Sequence, residues 1–371
     1  MKKVTKKTWL TWCLLALSGI LLYLFTQNNA SFYHQPIGQI TQAVDKKTYQ
    51  TKDDYGNKDA KTKQIIVLKI LNGKYQDKQV QVTNWYSKSG ALDQKYQVGQ
   101  KVFLDIHRLK NKTLSISISD YKRDTYVLML CWLVLVVLYL MMKLQGLKTL
   151  LSVVLNVILF LIFIQLDVYL NLTNFFWLFA VSALLFTLLS LLLVIGYNRQ
   201  CLVTFLAVVL ATSLALGLSL GLIELTGQKG VHYEALDFAT QAPEQLFLSA
   251  TVIGLLGAVM DAATDIVSTL FEMKHTDPEI TQRQLFLSGR QVGRAIMGPL
   301  INVLLLIFFA ETFTMAVLYF KTGNTFAYTF EWTMSLGVIE ALISAIGVVL
   351  VIPSASFLSA WFLGGKKDVS H

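Results

Sequence analysis

Long, nearly uncharged apolar blocks recur along this chain, and a water-soluble core of this size could not absorb them. Eight blocks come near or exceed the length needed to cross a hydrocarbon layer of about 30 Å. They cover residues 9–25, 126–142, 150–166, 172–195, 202–223, 246–273, 295–320 and 333–362. Only 15% of the residues are charged, against roughly 25% in soluble domains. The expected fold class is therefore an α-helical membrane bundle of about eight transmembrane helices. Lys2, Lys3, Lys6 and Lys7 precede the first block, a layout shared by signal peptides and anchors. No A-x-A cleavage pattern follows in Thr26-Gln-Asn-Asn-Ala-Ser31, so an uncleaved anchor is expected.

Residues 27–124 change character. They carry seventeen Lys/Arg against nine Asp, a balance of +8 in a chain whose net charge is +9. Short alternating runs at 37–44, 64–71, 78–83, 101–106 and 113–119 predict strands, separated by turn signals such as Asn72-Gly73 and Ser89-Gly90. A small all-β extracytoplasmic domain after the first helix, a barrel or sandwich of OB type, is the expectation. The division is then 1–26, a basic tail and membrane anchor; 27–124, the basic β-rich domain; and 125–371, a seven-helix transmembrane bundle. A solvated basic surface and a surface for an anionic lipid or wall polymer both fit the charge. No aromatic stacking pattern points to nucleic acid, and none is expected as a partner.

With the N-terminus in the cytoplasm, short inner segments carry thirteen Lys/Arg and short outer loops only Lys229 and Lys321. That asymmetry predicts a cell-membrane protein with both termini cytoplasmic and residues 27–124 outside.

Ionisable groups inside spans are costly, so each needs a reason. They concentrate in the last three spans. In Ile253-Gly-Leu-Leu-Gly-Ala-Val-Met-Asp-Ala-Ala-Thr-Asp265, Asp261 and Asp265 stand four apart on one helix face, and Ser268 and Glu272 return to about that face. Two carboxylates so close cannot both ionise cheaply in a low dielectric, so a proton or cation shared between them is expected. Hydrogen bonding to neighbouring helices is the plainer alternative. Gly254 and Gly257 permit close approach of another helix. The next span carries Asn302 and Glu311, with Pro299 placed to kink it and open backbone carbonyls to a cavity. Glu340 lies near the middle of the last span. Between the two acidic spans, Thr276-Asp-Pro278 reads as a helix start, and a short amphipathic surface helix is expected there. Arg290 and Arg294 then form a cytoplasmic-face basic pair for Glu272 or lipid phosphate.

Other chemistries are disfavoured. There is no P-loop, dinucleotide fingerprint, H-E-x-x-H or G-x-S-x-G. His34, His107, His232, His275 and His371 lack metal-ligand spacing, so neither a metal nor another cofactor is expected. Cys13 and Cys131 lie in apolar blocks and Cys201 borders one, which reads as three buried hydrophobes. An intramembrane aspartyl protease needs facing Asp residues, whereas Asp261 and Asp265 share one helix. An enzyme is not expected.

The run Gly254-Leu-Leu-Gly-Ala-Val-Met-Asp261, its continuation to Ser268 and Glu272, and Ser288-Gly-Arg-Gln-Val-Gly-Arg-Ala-Ile-Met-Gly298 resemble the signature of YibE/F-like membrane proteins. The plan of anchor, β-rich domain and bundle is similar throughout, but the likeness is specific only over about 254–302. In the family pattern an acid follows the second motif's Arg and a Thr follows its Met-Gly; Ala295 and Pro299 stand there instead. The resemblance implies a multi-pass bacterial membrane protein, and a related membrane protein as a partner. The expected function is a transporter or permease component using proton or cation coupling through Asp261, Asp265, Glu340 and Glu272, with Asn302 in the same cavity. The rival is a non-transporting accessory or scaffold protein whose basic domain holds an anionic envelope component or partner protein.

Overall fold

The structure is a computed structural model describing residues 6–364 apart from 53–55, 57, 91–92, 109–113, 173 and 236–241. Residue 113 of the last expected strand and both chain ends therefore lie outside the described residues. Two compact units divide the chain, Met1–Lys143 and Leu144–His371.

In the first unit, helix α1 (Lys6–Asn28) leads into five strands and then helix α2 (Asp124–Met142). The strands are β1 (Ile37–Lys52), β2 (Lys58–Ile70), β3 (Gln79–Ser87), β4 (Lys101–Arg108) and β5 (Leu114–Tyr121), all antiparallel in the order β3-β2-β1-β4-β5. The edge strands β3 and β5 approach each other, so the sheet curls into a partly open five-stranded barrel. Alternation drives this. Ile66, Leu68 and Ile70 of β2 point inward with Ile40 of β1 and Val102 and Leu104 of β4. Strands β1 and β2 run past the core as a polar hairpin, pairing as far as Lys52 with Lys58. Backbone pairing carries that extension, and the sequence there has no alternation to reveal it.

Asn72 closes the start of the barrel. It is 7% exposed; its Oδ1 accepts from the Ile37 amide at 2.7 Å, and its Nδ2 donates to the Ala30, Tyr33 and Gln35 carbonyls at 2.8, 2.9 and 3.2 Å. Asn72→Ala is expected to cost about 2–3 kcal/mol through the groups it strands. Thermal unfolding and faster amide exchange at residues 30–37 check this.

Where the two helices join the barrel, Asp124 accepts from Asn29 (2.8 Å), Tyr33 (3.0 Å) and Lys122 (2.7 Å). Helix α2 packs on α1, with the Trp132 indole N–H donating to Ser18 at 3.0 Å beside Gly19.

The second unit contains α3 (Leu144–Leu170), α4 (Phe176–Val194), α5 (Arg199–Leu225), α6 (Pro243–Thr276), α7 (Gln282–Lys321), the short α8 (Phe326–Thr333) and α9 (Ser335–Leu363). Among the described residues, with α1 and α2 included, eight helices are long and apolar enough to cross a membrane. Helix α9 packs against α5, α6 and α7. Small residues make this possible: Gly347 faces Leu255 and Val259 of α6, and Gly293 of α7 faces Ile352. Asn156 of α3 donates to Ser190 of α4 at 2.7 Å, joining those two helices.

One expectation fails here. Among the described residues no separate surface helix precedes the seventh span: α7 runs unbroken for 40 residues, about 60 Å, from a capping box on Thr281 and Gln284. Pro278 lies in the α6–α7 connection rather than at a helix start. Nothing between Arg283 and Ala295 breaks a helix, so the amphipathic stretch propagates into the span.

Candidate functional site

The site follows from how α6 divides its surface. Leu255, Val259, Ala262, Ala263, Ile266 and Leu270 are fully buried against the bundle. The opposite face carries Gly254, Gly257, Asp261, Asp265 and Glu272, all exposed in the single chain. Helical periodicity therefore sorts the apolar residues inward and the acids outward. An ionised carboxylate facing lipid at mid-helix costs about 2.5–3.5 kcal/mol even on insertion scales, so this stripe needs water or a covering partner.

At its Gly254 end the stripe meets α7 and α9. A cavity of about 320 Å³ is lined by Gly254, Glu311 and Thr312 of α7, and Gly337, Glu340 and Ser344 of α9. A second cavity of about 300 Å³ shares Glu311, Thr312, Gly337 and Glu340, and continues to Glu331 and Trp332 of α8. A Cβ added at Gly254 would stand 3.1 Å from Glu340 Oε1, so the missing side chain leaves room for the carboxylate. Two acids from different helices thus share one space. From Gly254 to Glu272 the α6 stripe rises about 27 Å, nearly the hydrocarbon thickness. At the far end Ser268 and Glu272 line an open cleft by the α6–α7 connection, and Ser268 accepts from Gln200 of α5 at 2.8 Å.

Among the expected site residues, Glu340 and Gly254 line this half-open space. Asp261 and Asp265 lie along the exposed stripe beyond it. Among the described residues nothing lies within 4 Å of a Cβ added at Gly257, so no described helix packs there. Asn302 and Pro299 are exposed and do not line the Glu311–Glu340 cavities. Among the described residues no ion pair joins Glu272 to Arg290 or Arg294; Arg290 lies over the Phe286 ring at 6.0 Å. Glu311 was visible in sequence as a lone acid in an apolar run, but no spacing rule relates it to Glu340.

A histidine clasp borders the α8 end. His232, in the α5–α6 connection, stands 2.9 Å from Glu331 and 3.0 Å from Glu234, with its ring 5.5 Å from the Trp332 ring. The hydrogen bond with Glu234, then the Glu331 charge, hold the imidazole pKa above its ordinary value. A raised folded-state pKa stabilises the clasp fully below the ordinary histidine value of about 6.5, and the stabilisation is lost as pH rises through the folded-state pKa. Amide protection factors across α8 are therefore expected to fall over that window, and His232→Gln should flatten the profile.

Comparison with known proteins gives two matches. A model of the YibE/F-like protein family matches residues 130–365, and one of the YibE/F family N-terminal domain matches residues 31–121. No curated protein and no solved structure matches the chain.

Proposed function

The chain belongs to the YibE/F-like family, and on that premise we propose that this multi-pass membrane protein is a transporter or permease component. Its movement of solute is coupled to protons or cations through intramembrane carboxylates. The observation that carries the reading is the meeting of Glu311 and Glu340, from α7 and α9, in one cavity beside Gly254. Acids that share a confined space exchange a proton or hold a cation between them. Asp261, Asp265 and Glu272 extend the same chemistry along α6 toward the cleft at its end. In this reading the N-terminus, the C-terminus and the α6–α7 turn face the cytoplasm, and the β-rich domain and α8 face outward.

The test is proton flux into proteoliposomes carrying the full chain, under an imposed pH gradient. Asp261→Asn should abolish gradient-driven flux while expression and thermal stability hold. Wild-type flux in that variant would count against the ladder.

The open α6 stripe favours a second reading: an accessory protein whose acids bind the helices of a related membrane partner. Deleting residues 30–122 separates the two, because the accessory role requires that domain whereas a transporter is only impaired.

A further inference from the structure

A separate polar cavity, of about 280 Å³, lies in the first unit where α1 leaves its apolar stretch and α2 begins. Gln27 of α1, Gln100 and Lys101 before and at the start of β4, Tyr121 and Lys122 at the end of β5, and Tyr126 of α2 line it. The two lysines differ. Lys122 is almost fully buried, and its ammonium is saturated: it donates to the Thr26 carbonyl at 2.9 Å and to both oxygens of Asp124 at 2.7 Å. Lys101 donates to the Gln27 carbonyl and, at 3.4 Å, to the Gln27 side-chain oxygen. Among the described residues it has no carboxylate within ion-pair distance.

A half-buried ammonium with no carboxylate in ion-pair contact is an expensive arrangement. Burial, and after it the neighbouring Lys122 charge, hold the Lys101 pKa below its ordinary value, against a smaller upward pull from the Asp124 charge. An arriving anion would relieve both effects. The glutamine amides offer further donors, and the exposed Tyr126 ring stacks 6.3 Å from Tyr121, a pairing suited to the membrane–water boundary. Apolar α1 and α2 meet the barrel at this level, so the anion that a surrounding membrane would bring to the cavity is a lipid phosphate.

We infer that the cavity around Lys101 is a binding site for the phosphate of an anionic phospholipid headgroup, with Lys101 as its principal cation and the Gln27 and Gln100 side chains as supporting donors. The inference is independent of the transport reading, since it requires only that α1 and α2 lie in the membrane.

Native mass spectrometry of the full chain in detergent, titrated separately with phosphatidylglycerol, phosphatidylcholine and inorganic phosphate, tests it. One phosphatidylglycerol per chain should be retained in preference to phosphatidylcholine. Lys101→Gln should weaken that binding about tenfold, the share of one charge-assisted hydrogen bond. Lys101→Arg should keep it, as should Lys61→Gln on the exposed side of β2. Equal retention of the two lipids would overturn the proposal, as would equal losses in Lys101→Gln and Lys61→Gln. Inorganic phosphate competing at the same concentration as the lipid would overturn the lipid as its source. Should Lys101→Gln lower the melting temperature, Gln100→Ala replaces it, with a smaller loss of phosphatidylglycerol expected and unchanged binding counting against the site.

Discussion

Glu340→Gln is expected to cut gradient-driven proton flux by about a hundredfold, roughly 2.7 kcal/mol of barrier, without lowering the melting temperature. The two outcomes separate because glutamine keeps the volume of the side chain and removes its capacity to take up and release a proton. A carboxyl group in the cavity between α7 and α9 has a desolvation cost that the neutral amide avoids. Packing at Gly254 and Gly337 is unchanged by an isosteric replacement. Glu311→Gln should resemble it, since Glu311 lines both cavities with Glu340 and a shared proton needs both groups. Dye-reported internal pH in proteoliposomes reads the flux, and fluorescence-detected unfolding in detergent reads the stability. Wild-type flux in the Glu340 variant would remove this pair from the mechanism.

Gly347→Leu should have the largest structural effect, destabilising the second unit by about 3 kcal/mol or more. Even a single added Cβ at Gly347 would run into the Leu255 side chain and stand 2.8 Å from Val259 and 3.6 Å from Ala215. The contact joins α9 to both α5 and α6, so relief requires separating helices rather than turning a rotamer. Loss of the monodisperse peak in detergent is the measurement. Gly257→Leu is the matched control: nothing lies within 4 Å of its Cβ position, so the folded chain should tolerate it. If that variant folds and yet loses activity, the open face of α6 is in use, by water or by a partner helix.

Much of the architecture was legible before any coordinates. Apolar length marks a spanning helix because lipid leaves no other way to satisfy a backbone. Alternation marked the inward residues of β2 and β4 for a similarly local reason. The polar hairpin beyond Asp45 and the unbroken α7 were not legible, since one depends on backbone pairing and the other on the lack of a stop signal. The site was legible in part. Asp261 and Asp265 were identified as neighbours because four residues make about one helical turn, a relation written along the chain. Whether that face points into the bundle or away from it depends on which residues α5 and α9 cover, and they cover the other side.

Sequence alone therefore marked which segments are long and apolar enough to cross a membrane, where strand-like alternation replaces them, and which of those apolar segments carry charge. Hydrophobic transfer and backbone hydrogen bonding act over a few residues and leave a periodic trace. Tertiary structure alone decided that Glu311 and Glu340 line one cavity, that Gly254 makes room for Glu340, and that Lys101 is left without a carboxylate in ion-pair contact while Lys122 has one. Those pairings arise where separate elements cross, and a crossing is set by the packing of Gly289, Gly293 and Gly347 against their neighbours, which no spacing within a single segment encodes.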